Sequence, residues 1–344
     1  MRVLVAMSGG VDSSVAAALL VEAGHEVVGA TMKLWGGPSD SGCCSVSDVE
    51  DARRVAQQLG INHQVFNFSD DFDRDVVQPY VADNASGLTP NPCIECNRHL
   101  KFDRFLDRAL RLGFDAVATG HHARVERAAN GILSLRRGAD PAKDQSYVLY
   151  MLGPHQLAHL LLPVGTMTKA EVRDHAAARH LRTAAKPDSQ DVCFISRRGG
   201  RAEFLSGRIG LRPGEVVDEL GRRIGDVPAV ELVTVGQRRG LGGSVGDRYV
   251  VSVDLERAQV RVGPLAQLLV TEIALRDVIW TNGAPSPGER LEVQMSAHGQ
   301  PVGGTWDAST SKVLTGEPVR RVAPGQSVVL YRADAVVGGG VATA

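Results

Sequence analysis

Residues 3–14 read Val3-Leu4-Val5-Ala6-Met7-Ser8-Gly9-Gly10-Val11-Asp12-Ser13-Ser14, and an apolar, alanine-rich run from Val15 to Val21 follows. The order of types spells a buried strand, a Ser-Gly-Gly turn and the first turn of a helix. Such a turn is an anion cradle. Its glycines let backbone N–H groups approach an oxyanion, Ser8, Ser13 and Ser14 add hydroxyl donors, and the helix start adds the positive end of its dipole. The stretch is expected to hold phosphate. It lacks the Gly-Lys-Ser/Thr of a Walker A loop and the Gly-x-Gly-x-x-Gly of a Rossmann turn.

Working outward, Glu26 to Met32 reads as a second buried strand, and Trp35 to Ser45 as a Gly-, Pro- and Ser-rich loop. Ser47 and Glu50 are spaced as a capping box that opens a helix closed by Gly60. His63 to Phe68 is a third strand, Phe72 to Ala82 has helical spacing, and Leu88-Thr89-Pro90-Asn91-Pro92 is a rigid loop leading to Cys93 and Cys96. Asn97 to Leu112 is helical again, Asp115 to Thr119 is a short buried strand ending at Gly120-His121-His122, and Thr168 with Glu171 caps a helix reaching about His180. This alternation predicts an α/β fold, a doubly wound parallel sheet whose ligands bind at the carboxyl ends of its strands. Ser8, Met32 and Gly120 all fall at such ends.

From Leu211 the texture changes to Val, Gly and Arg with turn signals every eight to twelve residues, which reads as β-structure in two small barrel-like units. The expected organisation is a catalytic domain at 1–205, a small β-rich domain at 206–265 and a β-barrel-like domain at 266–344. No apolar run approaches the roughly 20 residues of a membrane span. The chain runs straight into a strand with no signal-peptide pattern, so a cytoplasmic location is expected. Net charge is −1 but uneven: residues 1–95 carry 5 Lys and Arg against 13 Asp and Glu, the remainder 33 against 26. That division suits a polyanion bound by the later part of the chain, and equally a solvated surface.

The odd number of cysteines, five, occurs as Cys43-Cys44, Cys93-x-x-Cys96 and Cys193. In a cytosolic chain this points to redox, sulfur or metal chemistry. Cys93 and Cys96 stand at the start of a helix, where a thiol pKa is lowered. By its local sequence Cys193 is either a reactive thiol or a buried inert one. Cys43-Cys44 lies on a loop outside this pattern, in a mobile-loop or incidental role. His122, His155, His159 and His175 lack metal-ligand spacing and read as core or solvated histidines, and Lys33 as a strand-end lysine or a neighbour of the phosphate loop.

The opening stretch resembles the PP-loop, Ser-Gly-Gly-x-Asp-Ser, of ATP pyrophosphatases. A wider set of segments resembles one family, the tRNA-specific 2-thiouridylases of MnmA type. These are residues 6–13, Thr89-Pro90-Asn91-Pro92 with Cys96-Asn97 and Lys101-Phe102, Thr119-Gly120-His121, Lys143-Asp144-Gln145-Ser146-Tyr147, Asp191-Val192-Cys193-Phe194-Ile195, residues 234–241, and Pro324-Gly325-Gln326. The resemblance implies an adenine nucleotide alpha hydrolase-like domain that thiolates the wobble uridine of tRNA. Ala6, Met7, Ser8, Gly9, Gly10, Val11, Asp12, Ser13, Met32 and Gly120 would bind ATP, with magnesium near Asp12. Cys193 would carry sulfur as a persulfide, with Cys96 the second catalytic cysteine. Asn91, Pro92, Cys93, His121, Lys143, Asp144, Gln145 and Gln326 would contact tRNA.

The implied partners are tRNAs of the Lys, Glu and Gln type and a persulfide donor such as a cysteine desulfurase or relay protein, with no membrane. Two departures stand out. Cys93 replaces the Asp of many members, so Cys93, Cys96 and Cys193 are also candidate ligands of a 4Fe-4S cluster carrying hydrosulfide. Ser296-Ala297 replaces an Arg-Tyr pair used against tRNA. Two other readings remain open. A PP-loop ligase acting on a small molecule would not need Cys96 and Cys193, and a nucleic-acid-binding or iron-sulfur protein could retain the loop without turnover.

Overall fold

The computed structural model describes residues 1–35, 45–188, 192–195, 199–243 and 246–343. Five parallel strands form the leading sheet in the order Asn62–Asn67, Glu26–Lys33, Arg2–Ala6, Ala116–Ala118, Leu160–Leu161. The chain starts at the centre, builds to one edge, then crosses back and builds to the other. Strand order therefore reverses between Arg2–Ala6 and Ala116–Ala118, and in a parallel sheet a crevice opens beyond the strand ends at such a point. Leu4 and Ala6 join one apolar layer with Phe102 and Phe105, whereas Val3 and Val5 join another with Val15 and Ala16. Each such Val or Leu contributes roughly 1.5–3 kcal/mol by burial. This anchoring on both faces fixes the strand from which the phosphate loop springs.

The helices follow the sequence signals with two adjustments. Thr168 and Glu171 make the expected box: Glu171 Oε2 accepts from Thr168 N at 2.7 Å and Thr168 Oγ1 from Glu171 N at 3.3 Å. The helix Val46–Gln58 is capped by Ser45, not by Ser47. It is Ser45 that keeps extended backbone, with its Oγ accepting from Asp48 N at 3.1 Å and donating to Asp48 Oδ2 at 2.6 Å. The helix bearing the paired thiols starts earlier than its apolar periodicity suggests, at Pro92–Glu95. It then widens into π-helical turns over Cys96–Phe105, and ends as Leu106–Arg111.

The β-rich remainder holds a four-stranded sheet and a barrel. The former is ordered Tyr249–Asp254, Gln259–Gly263, Gly214–Val217, Arg223–Val227, open rather than barrel-like. Six antiparallel strands between Leu269 and Ala342 close on themselves, because Leu269–Trp280 pairs with both Lys312–Arg320 and Ala335–Ala342. Val293, Val313, Val328 and Leu330 are among the buried residues of its core. The hairpin Ala123–Arg127 and Leu133–Arg137, from the first half of the chain, extends the barrel's sheet through Arg136 opposite Ala335. Tyr147 donates to Ser327 O at 2.7 Å and the Arg137 guanidinium lies 3.6 Å over the Tyr331 ring, so the barrel is stitched to the parallel-sheet domain. No described helix is long and apolar enough to cross a membrane.

Candidate active site

The phosphate loop is shaped by two glycines. Gly9 has φ +73°, and a Cβ there would lie 2.2 Å from the Asp48 carbonyl oxygen. A Cβ on Gly120 would lie 2.6 Å from Ser13 N, so only glycine lets the end of Ala116–Ala118 close on the helix start. The helix Val11–Glu22 begins at Gly10 without a side-chain cap, leaving its first N–H groups to a ligand. Ser13 Oγ accepts from Ser8 N at 3.2 Å and donates to Gly10 O at 3.1 Å, holding the turn in shape.

A cavity of about 320 Å³ opens at this point. Ala6, Met7, Ser8, Asp12 and Ser13 line one side with Met32 and Gly120. Pro92, Cys93 and Cys96 enter from the start of the thiol helix, Cys193 from residues 192–195, and His121, Asp144 and Gln145 from the loops beyond Ala116–Ala118. The anion cradle and all three described thiols thus share one cavity. Phe194, beside Cys193, is buried in an aromatic cluster, with ring centroids 5.6 Å from Phe72, 5.5 Å from Tyr80 and 5.0 Å from Phe204. That packing anchors the backbone of the Cys193 segment. Cys43, Cys44, Ser189, Gln190 and Asp191 lie outside the described residues.

Several expected site residues stand just behind the wall. Gly9 and Gly10 form the turn, Val11 is buried in the core, and none of the three lines the cavity; neither do Asn91, Lys143 or Gln326. Asn91 caps the thiol helix, its Oδ1 accepting from Cys93 N at 3.1 Å. Lys143 pairs with Asp188 at 2.8 Å. Asp144 accepts from Gly138 N at 2.9 Å and from the Ser146 hydroxyl at 2.8 Å, and Gln145 Oε1 accepts from His122 N at 2.9 Å. Gln326 donates its side-chain amide to the Thr89 carbonyl.

His121 is buried, and burial first, then the Lys101 and His122 charges, holds its pKa well below the ordinary value. Its neutral ring accepts at Nε2 from Lys101 Nζ at 3.4 Å, which puts the proton on Nδ1, facing Thr119 Oγ1 at 2.7 Å.

Two residues at the phosphate loop escaped the sequence reading. Lys169 Nζ lies 2.7 Å from each Asp12 carboxylate oxygen, and His122 Nε2 lies 3.0 Å from Oδ1. Burial opposes the Asp12 charge, but the hydrogen bonds from His122 and Lys169 and the Lys169 charge outweigh it and leave the carboxyl below its ordinary pKa. Lys169 also lies 3.0 Å from Asp188, which Lys143 and Arg173 share. Burial again opposes charge there, and the lysines bring the Asp188 carboxyl down to about 2.

The same geometry tests the implied metals. Asp12 Oδ1 receives both Lys169 and His122, whereas Oδ2 receives Lys169 and has a second lone pair with which it would hold a magnesium ion. Among the described residues no group of three or more His, Cys, Asp or Glu is placed to hold a metal ion. Cys93, Cys96 and Cys193 nevertheless all line the one cavity. The barrel contributes Ala297 and His298 to the lining. Gln294 Nε2 fixes that turn by donating to Ser296 O at 3.0 Å and Ala297 O at 3.2 Å, and of the pair Ser296-Ala297 it is the alanine that reaches the cavity.

Comparison with known proteins agrees with this architecture. Residues 1–197 match the family model described as tRNA methyl transferase HUP domain, and residues 270–342 the aminomethyltransferase beta-barrel domain. The tRNA-specific 2-thiouridylase MnmA of Mycobacteroides abscessus is 48% identical over 97% of this chain and 96% of its own. The chain belongs to the tRNA-specific 2-thiouridylase MnmA family. A second MnmA relative, from Chloroflexus aurantiacus, is 46% identical over 98% of this chain and 97% of its own. Among solved structures, a 4-thiouridine synthetase in complex with RNA and ATP aligns over 56% of this thiouridylase-family chain and 44% of its own, at 17% identity and a TM-score of 0.38.

Proposed function

We propose that this chain is an ATP-dependent tRNA sulfurtransferase of the cytoplasm that converts the wobble uridine to 2-thiouridine. The observation that carries the reading is the single cavity bounded by an anion cradle on one side and by Cys93, Cys96 and Cys193 on the other. Activation and sulfur delivery need such a shared space. The uracil 2-carbonyl is a poor electrophile with a poor leaving oxygen. That oxygen attacks the α-phosphorus of ATP, and pyrophosphate leaves toward the N–H groups of residues 9–13. The terminal sulfur of a Cys193 persulfide then attacks C2, and AMP departs with the original oxygen. The Cys96 thiolate attacks the Cys193 sulfur, releasing 2-thiouridine and forming a Cys96–Cys193 disulfide that an external dithiol reopens. A cysteine desulfurase or relay protein would reload the persulfide.

Support for tRNA comes from family membership and from the later domains. Arg238 and Arg320, both exposed, flank the half-buried Tyr249 ring at 5.9 and 5.4 Å from its centroid, a basic surface suited to a phosphate backbone. The test is direct: Cys96→Ser and Cys193→Ser should each abolish 2-thiouridine formation, read by nucleoside mass spectrometry, while ATP binding stays within about twofold of wild type. Full thiolation by both variants would sink the mechanism.

A further inference from the structure

The loop at residues 87–92, which leads to the thiol helix, is touched by both accessory sheets. A Cβ on Gly87 would lie 3.1 Å from the side chain of Leu255, in the turn joining Tyr249–Asp254 to Gln259–Gly263 of the four-stranded sheet. Thr89 N donates to Pro324 O at 2.7 Å, and Gln326 donates its side-chain amide to Thr89 O, so both polar groups of one peptide residue are held by a single turn of the barrel. That turn is itself fixed: Gly325 N donates to Ala342 O at 2.9 Å and Ala342 N to Gln326 O at 2.8 Å. Gly325, at φ +92°, comes so close that a Cβ would lie 2.9 Å from Thr89 N and 3.1 Å from Leu88 Cβ. Two residues further on, Asn91 caps the helix that presents Cys93 and Cys96 to the cavity. The barrel turn thus holds Thr89, and the two residues of chain from Thr89 lead to the cap of the thiol helix.

We infer that Gln326 is a positioning residue: acting through Thr89, it clamps the loop at residues 88–92 and so sets where the start of the thiol helix sits in the protein before tRNA arrives. A side chain serving only as a tRNA contact would have no reason to spend its amide on a loop carbonyl. Gly325 belongs to the same device, since any side chain there would push the turn off the loop.

The inference rests on the proposed thiolation for its kinetic readout, and on hydrogen exchange for one that needs no activity. In protein without tRNA or nucleotide, Gln326→Met keeps the side-chain length but removes the donor. Exchange of a peptide covering residues 87–97 should quicken about fivefold, the scale of one lost hydrogen bond. In thiolation assays kcat should fall by a similar factor while KM for tRNA stays within about twofold. Gly325→Ala should do the same, and if that variant fails to fold Gln326→Met still decides. Unchanged exchange, or a rise in KM alone, would overturn the clamp and return Gln326 to a tRNA contact. Quickened exchange in a protein whose wild type makes no thiouridine would refute the activity and leave the clamp standing.

Discussion

At the scale of single residues, the electrostatics of the phosphate loop turn on a lysine far away in sequence. Asp12 stands where a polyphosphate would bind, and its negative charge would repel that ligand unless cancelled. Lys169 cancels it, with both Asp12 oxygens at 2.7 Å. Neither side chain is fully buried, their side chains being 12% and 29% exposed for Lys169 and Asp12, so the coupling is smaller than the 3–5 kcal/mol of a sealed pair. Lys169→Met should cost about 1–2 kcal/mol of ATP binding, roughly a five- to thirtyfold rise in KM for ATP with KM for tRNA unchanged. Adding Asp12→Asn should recover part of the loss, because the uncompensated carboxylate is then gone. In the wild type a carboxyl held below the ordinary 3.8 stays charged from pH 6 to pH 9, so wild-type ATP kinetics should show no step from Asp12 across that range. Equal ATP kinetics in wild type and Lys169→Met would remove the lysine from the site. Nothing in the sequence marks Lys169: it reads as the first residue of a capped helix, and only the fold carries that helix to the loop. His122 was hidden differently, since a histidine beside His121 at a strand end looks like core until its Nε2 is seen on Asp12.

At the scale of elements, the strand, loop and helix of residues 2–22 were legible because every local signal agreed, from Val3 and Val5 to the glycines and the alanine run. Equally legible were the Thr168 box and the helical rhythm after Asn97. Less visible was the hairpin at residues 123–137, whose Arg-rich strands have one polar face and find their partner, Ala335, some two hundred residues later. The Ser45 cap shows the usual ambiguity of two serines two residues apart. A sharper test concerns Gly120, which lets one strand end meet the next element's first turn. Gly120→Ala puts a Cβ 2.6 Å from Ser13 N and 2.7 Å from the Asp12 carbonyl carbon. Overpacking of this kind costs about 1–3 kcal/mol, or a fall in Tm of about 1–4 °C in a chain this long. ATP affinity should drop at least about tenfold, because the N–H groups of residues 12 and 13 are the ones displaced. Gly207→Ala, with nothing within 4 Å of its Cβ and an ordinary φ, is the control expected to leave both unchanged. If the two variants behaved alike, close approach at Gly120 would not be what shapes the loop.

At the scale of the whole molecule, the uneven charge acquires a location. The negative first 95 residues supply much of the nucleotide domain, whereas the later chain exposes arginines across the junction of the four-stranded sheet and the barrel. Tyr249 of the sheet lies between Arg238 of its own unit and Arg320 of the barrel. Arg238 is also paired with Asp247, but Asp247 is 90% exposed and such a pair is weak against a phosphate. Each phosphate contact releases counterions, so binding that uses this surface must weaken as salt rises. Removing both guanidiniums in Arg238→Ala, Arg320→Ala should reduce the slope of log Kd against log salt by about 1.5, the sum expected for two lost contacts. Affinity for tRNA should fall at low salt, while kcat at saturating tRNA stays within about twofold, because neither arginine lines the cavity. Filter binding of an anticodon stem-loop and of whole tRNA separates two geometries. A changed slope only with whole tRNA would put the surface under the tRNA body, and a changed slope with both would put it beside the anticodon. An unchanged slope with either RNA would show that the Arg238, Tyr249 and Arg320 surface does not hold the tRNA backbone.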